Sequence, residues 1–88
     1  PTAEINLTDF TIAGNGMCNN YSGKLNYYSI ETIAFGPLMS TKMMCPEIGK
    51  EQAFMGALGN VQYYEITGLN LFFYDNSHQE ILRFQKVD

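Results

Sequence analysis

Short segments in which apolar and polar residues alternate constrain the fold of this 88-residue chain more than any other feature. A period of two is typical of strands that bury one face. Glycine, asparagine and aspartate separate the segments and favour turns. The candidate strands are EINL, FTIA, KLNYY, TIAF, MSTKMMC, VQYYEI, NLFFYD and EILRFQK. The first two predict either a hairpin or one bent strand, and the last three predict an antiparallel meander.

An unbroken strand register makes a specific prediction for the middle of the chain. It places Leu25, Tyr27, Ile33 and Phe35 on one shared face of the sheet.

One segment, PEIGKEQAFMGALGN at residues 46–60, has helical spacing instead. Its apolar positions are Ala53, Phe54, Ala57 and Leu58. We expect Phe54 and Leu58 to anchor a short helix against the concave face of a curved sheet, which makes the class α+β. Glu47 and Glu51 lie near the start of this helix, where carboxylates favour the helix dipole, so we interpret both as supporting the helix.

The stretch GNGMCNNYSG at residues 14–23 predicts a sharp corner between two strands. Small or turn-favouring residues supply the corner, because they tolerate unusual backbone angles or bond back to the main chain. The corner residues are Gly14, Gly16, Asn19, Asn20 and Gly23. A dinucleotide-binding loop would need a third glycine where Asn19 stands, and a helix after it.

The net charge of −4 and the absence of a Lys/Arg cluster argue against nucleic acid as a partner. No apolar run reaches the roughly 18 residues of a membrane span, so we expect no transmembrane segment in this chain. No residue pattern indicates a cofactor, and we expect a monomer.

The order of the motifs resembles that of the META domain, the family of the HslJ-like heat-inducible bacterial envelope proteins. The motifs in question are GNGMCNNYSGKL, IAFGPLMSTKMMCP with Thr41 and Lys42 in its strand, EQAFMGAL, VQYYEITGLNLFFYD and EILRFQ. Family members typically have Arg where this chain has Lys42, and Gly where it has Met17. The resemblance covers nearly the whole chain, which we treat as a single domain over residues 1–88.

The resemblance implies a small, strongly curved antiparallel sheet, a partial barrel, packed around one short helix. It also implies the cell envelope, as a periplasmic protein or an outer-membrane anchored lipoprotein whose signal segment is absent from this chain. The family is linked to stress tolerance and has no established catalytic mechanism, so we expect a non-enzymatic module.

Cys18 and Cys45 are the two cysteines of the chain. They predict either a disulfide, which the oxidising envelope would permit, or two free thiols packed together as small hydrophobes. In both cases we expect Cα atoms roughly 4.4–6.8 Å apart.

Two other hypotheses use the same sulfur atoms. Cys18 could act as a nucleophile with His78 as its base, although a lone histidine in a predicted turn is usually only solvated. Met43, Cys45 and Cys18 could bind Cu(I), although Met43 and Met44 would point to opposite faces of a strand.

Aromatic side chains on the strands suggest a contact surface for an envelope protein or a small apolar ligand. Its candidate residues are Tyr28, Tyr63, Phe72 and Tyr74.

Overall fold

The computed structural model describes residues 1–86, which form seven strands and one helix. The strands are β1 (Glu4–Asn6), β2 (Thr11–Asn15), β3 (Asn20–Tyr28), β4 (Ile33–Ser40), β5 (Tyr63–Thr67), β6 (Asn70–Tyr74) and β7 (Glu80–Gln85), and the helix is α1 (Ile48–Gly59). All strand pairs are antiparallel. The α+β class and the single short helix are therefore confirmed, and the first two segments form a hairpin.

The strands form two sheets where we expected one curved sheet. The first sheet has the order β1-β2-β3-β4 and the second has the order β5-β6-β7. An isolated bridge between Thr32 and Tyr63 joins them. Next to this bridge, the Tyr64 N–H donates to the Glu31 carbonyl at 3.1 Å. We call this junction the seam. The strands of residues 1–86 do not close into a barrel, so the partial barrel stays a prediction.

Helix α1 packs its Phe54 and Leu58 into the core, as predicted. Leu58 is fully buried, and Phe54 meets the rings of Tyr21 and Phe84 edge-on, with centroids 5.6 and 6.1 Å apart. Ala53, which the same spacing placed near the apolar stripe, is exposed. The stripe is therefore narrower than the sequence indicates.

Two strand predictions are wrong. The segment MSTKMMC does not form a strand of its own: β4 ends at Ser40, and residues 41–45 have no regular secondary structure. The prediction that Leu25 and Tyr27 share one face of the sheet is also wrong, because the pairing of β3 with β4 shifts register on both sides of Leu25. Leu25 is buried, whereas Tyr27 is 42% exposed.

No helix within residues 1–86 has the length and the apolar character that crossing a membrane requires.

Candidate functional site

The two cysteines form a disulfide that joins the loop after β2 to the segment before α1. Their Cα atoms are 6.3 Å apart, within the range that bridging requires. Both residues are half-buried. The bridge therefore ties three parts of the chain together: the corner, the end of the first sheet and the start of the helix.

Asn19 lies beside this disulfide and uses its whole carboxamide group. The Nδ2 atom donates to the Met43 carbonyl at 3.0 Å and to Glu51 Oε2 at 2.7 Å. The Oδ1 atom accepts from the Met43 N–H and from the Thr41 hydroxyl, each at 2.8 Å. Because Asn19 is only 4% exposed, these bonds replace the water that its side chain loses on folding.

Glu51 is the charged partner of this cluster and is 5% exposed. Its Oε1 atom accepts from the backbone N–H groups of Cys18 at 3.0 Å and of Asn19 at 2.7 Å. The hydrogen bonds from the backbone and side chain of Asn19 lower the pKa of Glu51, and the Cys18 N–H adds to this, although burial acts in the opposite direction. Glu51 lies in the first turn of α1, where we expected it to support the helix. In addition it is buried and holds the corner against the helix, a role that the sequence analysis did not predict.

The predicted corner is shorter than the sequence indicates. Gly14 lies in β2, and Asn20 and Gly23 lie in β3, so the turn itself spans residues 16–19. The residue with a positive φ in this turn is Met17, at 116°. Gly16 is needed for space instead, because a Cβ atom there would lie 2.9 Å from the Glu51 side chain.

Thr41 and Lys42, which we placed in a strand, follow the end of β4 and are exposed. The physical reason lies in Asn19. Its side chain bonds both the N–H and the carbonyl of Met43, so these backbone groups are paired without a neighbouring strand. The Thr41 hydroxyl also accepts from the Asn20 N–H at 3.2 Å, which continues the contact with β3 beyond the sheet.

The cluster of Cys18, Cys45, Asn19, Glu51 and Thr41 is saturated by its own bonds. Among the described residues, no buried side-chain nitrogen or oxygen atom lacks a hydrogen-bond partner. The arrangement fixes backbone positions, and it leaves neither cysteine sulfur free for nucleophilic attack or soft-metal binding while the disulfide is intact. Of the other residues named for such chemistry, His78 lies elsewhere and stacks on Tyr63. Met43 adjoins the cluster through its backbone, and the residue is 58% exposed.

The candidate contact residues divide into two groups. Tyr63, Phe72 and Tyr74 lie on the outer face of the second sheet: Tyr63 pairs with Tyr74, and Phe72 pairs with Glu65 on the adjoining strand. Tyr28 lies apart from them at the end of β3, where its ring stacks on Tyr64 with centroids 5.7 Å apart. The structure thus brings three of the four residues onto one face.

Sequence reasoning missed the role of Glu51, although the sequence contains a signal for it. Glu51, Phe54 and Leu58 stand at i, i+3 and i+7, which is one face of a helix. A carboxylate in line with two core residues indicates a buried acceptor that needs donors from another element.

Comparison with protein families gives a match to the model described as META domain, over residues 1–88. Comparison with the curated proteins and with the solved structures gives no significant match.

Proposed function

Since this chain belongs to the META domain family, we propose that it is a non-enzymatic binding or stabilising module of the bacterial cell envelope. We place it in the periplasm or on a lipid-anchored outer-membrane protein, with a role in stress tolerance. It acts by contact with an envelope protein or a small apolar ligand.

The observation that supports this proposal is the disulfide and its setting. Disulfides persist in oxidising compartments such as the periplasm and are rare in the cytosol of most bacteria. The bridge between Cys18 and Cys45 adjoins the buried pair of Asn19 and Glu51, so it is part of the folded framework. A thiol engaged in this way cannot serve as a nucleophile until it is reduced.

The surface that supports a binding role is the outer face of the second sheet. Tyr63, Phe72 and Tyr74 are half-buried on this face, while the fully buried Phe73 lies on the opposite, core-facing side of the same sheet. Aromatic rings that are partly exposed on a rigid strand offer a large contact area at a low cost in side-chain entropy.

The test is the redox state of the cysteines in the cells that make the protein. Cells are quenched in acid, denatured, and treated with a maleimide reagent that adds mass, with and without prior reduction. We expect labelling of Cys18 and Cys45 only after reduction, and recovery of the protein in the envelope fraction.

Labelling of both thiols without reductant, at the level of a cytosolic control protein, would contradict the envelope proposal. Fast reaction of one thiol with iodoacetamide in the native protein at neutral pH would instead favour the cysteine-dependent enzyme.

A further inference from the structure

A cleft of about 690 Å³ opens at the seam between the two sheets. Backbone bonds fix both of its sides, because the bridge from Thr32 to Tyr63 and the bond from Tyr64 to Glu31 hold the β3–β4 loop against β5. Its walls therefore belong to the rigid framework. The residues that line it include Ile30, Glu31, Tyr63, Glu65, Tyr74 and His78.

One wall of the cleft is aromatic. Tyr63 and Tyr74 stand directly opposite each other on β5 and β6, so their side chains are neighbours on the same face. The His78 ring stacks on Tyr63, with centroids 3.9 Å apart and planes 18° from parallel. Ile30 lines the same cleft and is 90% exposed, so apolar surface continues beyond the rings.

The same cleft is acidic. Glu31 and Glu65 line it and are exposed, whereas the ion pairs of residues 1–86 are Lys50–Glu47 and Arg83–Glu80. Neither cleft carboxylate therefore has a cationic partner within that range. The pKa of Tyr74 is raised by burial first and by the charges of Glu65 and Glu80 next, with a smaller opposite effect of Arg83. Two carboxylates therefore act on this phenol.

A cation already occupies the neighbouring part of this face. The Arg83 guanidinium lies 4.9 Å from the centroid of the Phe72 ring and is held there by both oxygens of Glu80. Beside the cleft, the Phe72 ring and the Glu80 carboxylate thus hold a cation, the guanidinium of Arg83, between them. Within the cleft the rings and the carboxylates are present, and the cation is the element that a ligand would supply.

We propose that the cleft at the seam binds a small alkylammonium compound, with its cationic head between the rings of Tyr63 and Tyr74 and the carboxylates of Glu31 and Glu65. The N-alkyl groups pack on the exposed Ile30 side chain. This inference rests on the proposed role of the outer aromatic face in binding, and it changes the ligand from an apolar compound to a cationic one.

The test compares two compounds of equal shape by NMR titration of the oxidised protein. Choline chloride is the cationic probe. Dimethylbutanol, in which carbon replaces the choline nitrogen, is the neutral probe, and sodium chloride keeps the ionic strength constant. We expect choline to shift the amide signals of Tyr63, Glu65 and Tyr74, and to bind about tenfold more tightly than dimethylbutanol, a ratio in keeping with a cation held by aromatic rings and carboxylates.

A double substitution tests the charges. The variant with both Glu31→Gln and Glu65→Gln should bind choline only as weakly as dimethylbutanol, and its affinity for dimethylbutanol should equal that of the parent. Glu4→Gln, an exposed carboxylate on β1 in the other sheet, is the matched control and should leave both unchanged.

Equal binding of the two compounds would overturn the cationic ligand but leave the aromatic face as an apolar binding surface. Binding of neither compound would overturn the inference, while thiol labelling would still decide the envelope proposal. Equal loss in the control and the double variant would also overturn it, because general charge and not the cleft would then be responsible.

Discussion

Replacement of Asn19 by alanine should destabilise the fold more than any other single change of an asparagine in the chain. The carboxamide makes four hydrogen bonds, and a net contribution of about 0.5–1.5 kcal/mol is usual for each. Thr41 and Met43 are exposed, so in the variant water can replace part of the hydrogen bonding that they lose with the Asn19 side chain. We therefore expect a loss of about 2–4 kcal/mol, against a total stability of about 5–15 kcal/mol for a protein domain.

The measurement is thermal unfolding of the oxidised protein followed by circular dichroism at neutral pH. For a domain of this size a loss of about 1 kcal/mol lowers the melting temperature by roughly 4–8 °C, so Asn19→Ala should melt at least 8 °C below the parent. Asn20→Ala is the matched control. The Asn20 side chain is exposed and accepts one hydrogen bond, from Asn15 Nδ2 at 3.1 Å, so Asn20→Ala should lower the melting temperature only slightly. If the two variants melt within about 2 °C of each other, the buried carboxamide does not hold the corner to the helix and our reasoning fails.

Three further predictions concern the same framework. Reduction of the disulfide, which spans 27 residues, should remove about 3.5 kcal/mol; an unchanged melting temperature in reductant would contradict this. Because the pKa of Glu51 is lowered in the folded state, its contribution is complete above its unfolded pKa and is lost as the pH falls through the folded pKa. Urea unfolding at a series of pH values should therefore show that the free energy of unfolding falls less steeply below about pH 4.3 in Glu51→Gln than in the parent. Glu47→Gln, at the exposed residue before the helix, should follow the parent. Gly56→Ala should raise the free energy of unfolding by about 0.5–1 kcal/mol, since no atom lies within 4 Å of its Cβ position. Gly16→Ala should lower it, because its Cβ atom would lie 2.9 Å from Glu51, and an equal effect of both changes in chemical denaturation would argue against the packing described.

The sequence predicted those parts of the fold that depend on local pattern. The spacing of Phe54 and Leu58 identifies the helix and its inward face, because both positions recur with the helical period. Tyr27 shows where this reasoning stops. Its place in the strand pattern matches that of Leu25, yet the shifts of register in β3 move it to the surface. Such a shift depends on the partner strand, and nothing local to Tyr27 encodes it.

The candidate site was less predictable because its bonds join residues that are far apart along the chain. Asn19 meets Met43 and Glu51 across 24 and 32 residues. Its residue type fits a corner equally well when its side chain bonds only its own turn, so nothing in the sequence indicates that it pairs the backbone of Met43 in place of a neighbouring strand. The cysteines could be considered together because there are only two of them.

The hydrogen bonds of the corner show that Asn19 and Glu51 have a structural role, whereas the carboxylates at the seam are free for a binding role. Asn19 and Glu51 satisfy each other and the adjoining backbone, so no polar atom of this pair is left for a ligand, and a substitution there acts through stability. Glu31 and Glu65 at the seam are exposed and have no cationic partner within residues 1–86, so their removal costs the fold little. The Glu65 carboxylate accepts one hydrogen bond, from the Thr67 hydroxyl at 3.2 Å. Neither carboxylate takes part in an ion pair within the described residues, so both charges beside the aromatic rings are available to a cation from outside. A loss of binding without a loss of stability is therefore the result that would mark the seam, and not the corner, as the place where this domain acts.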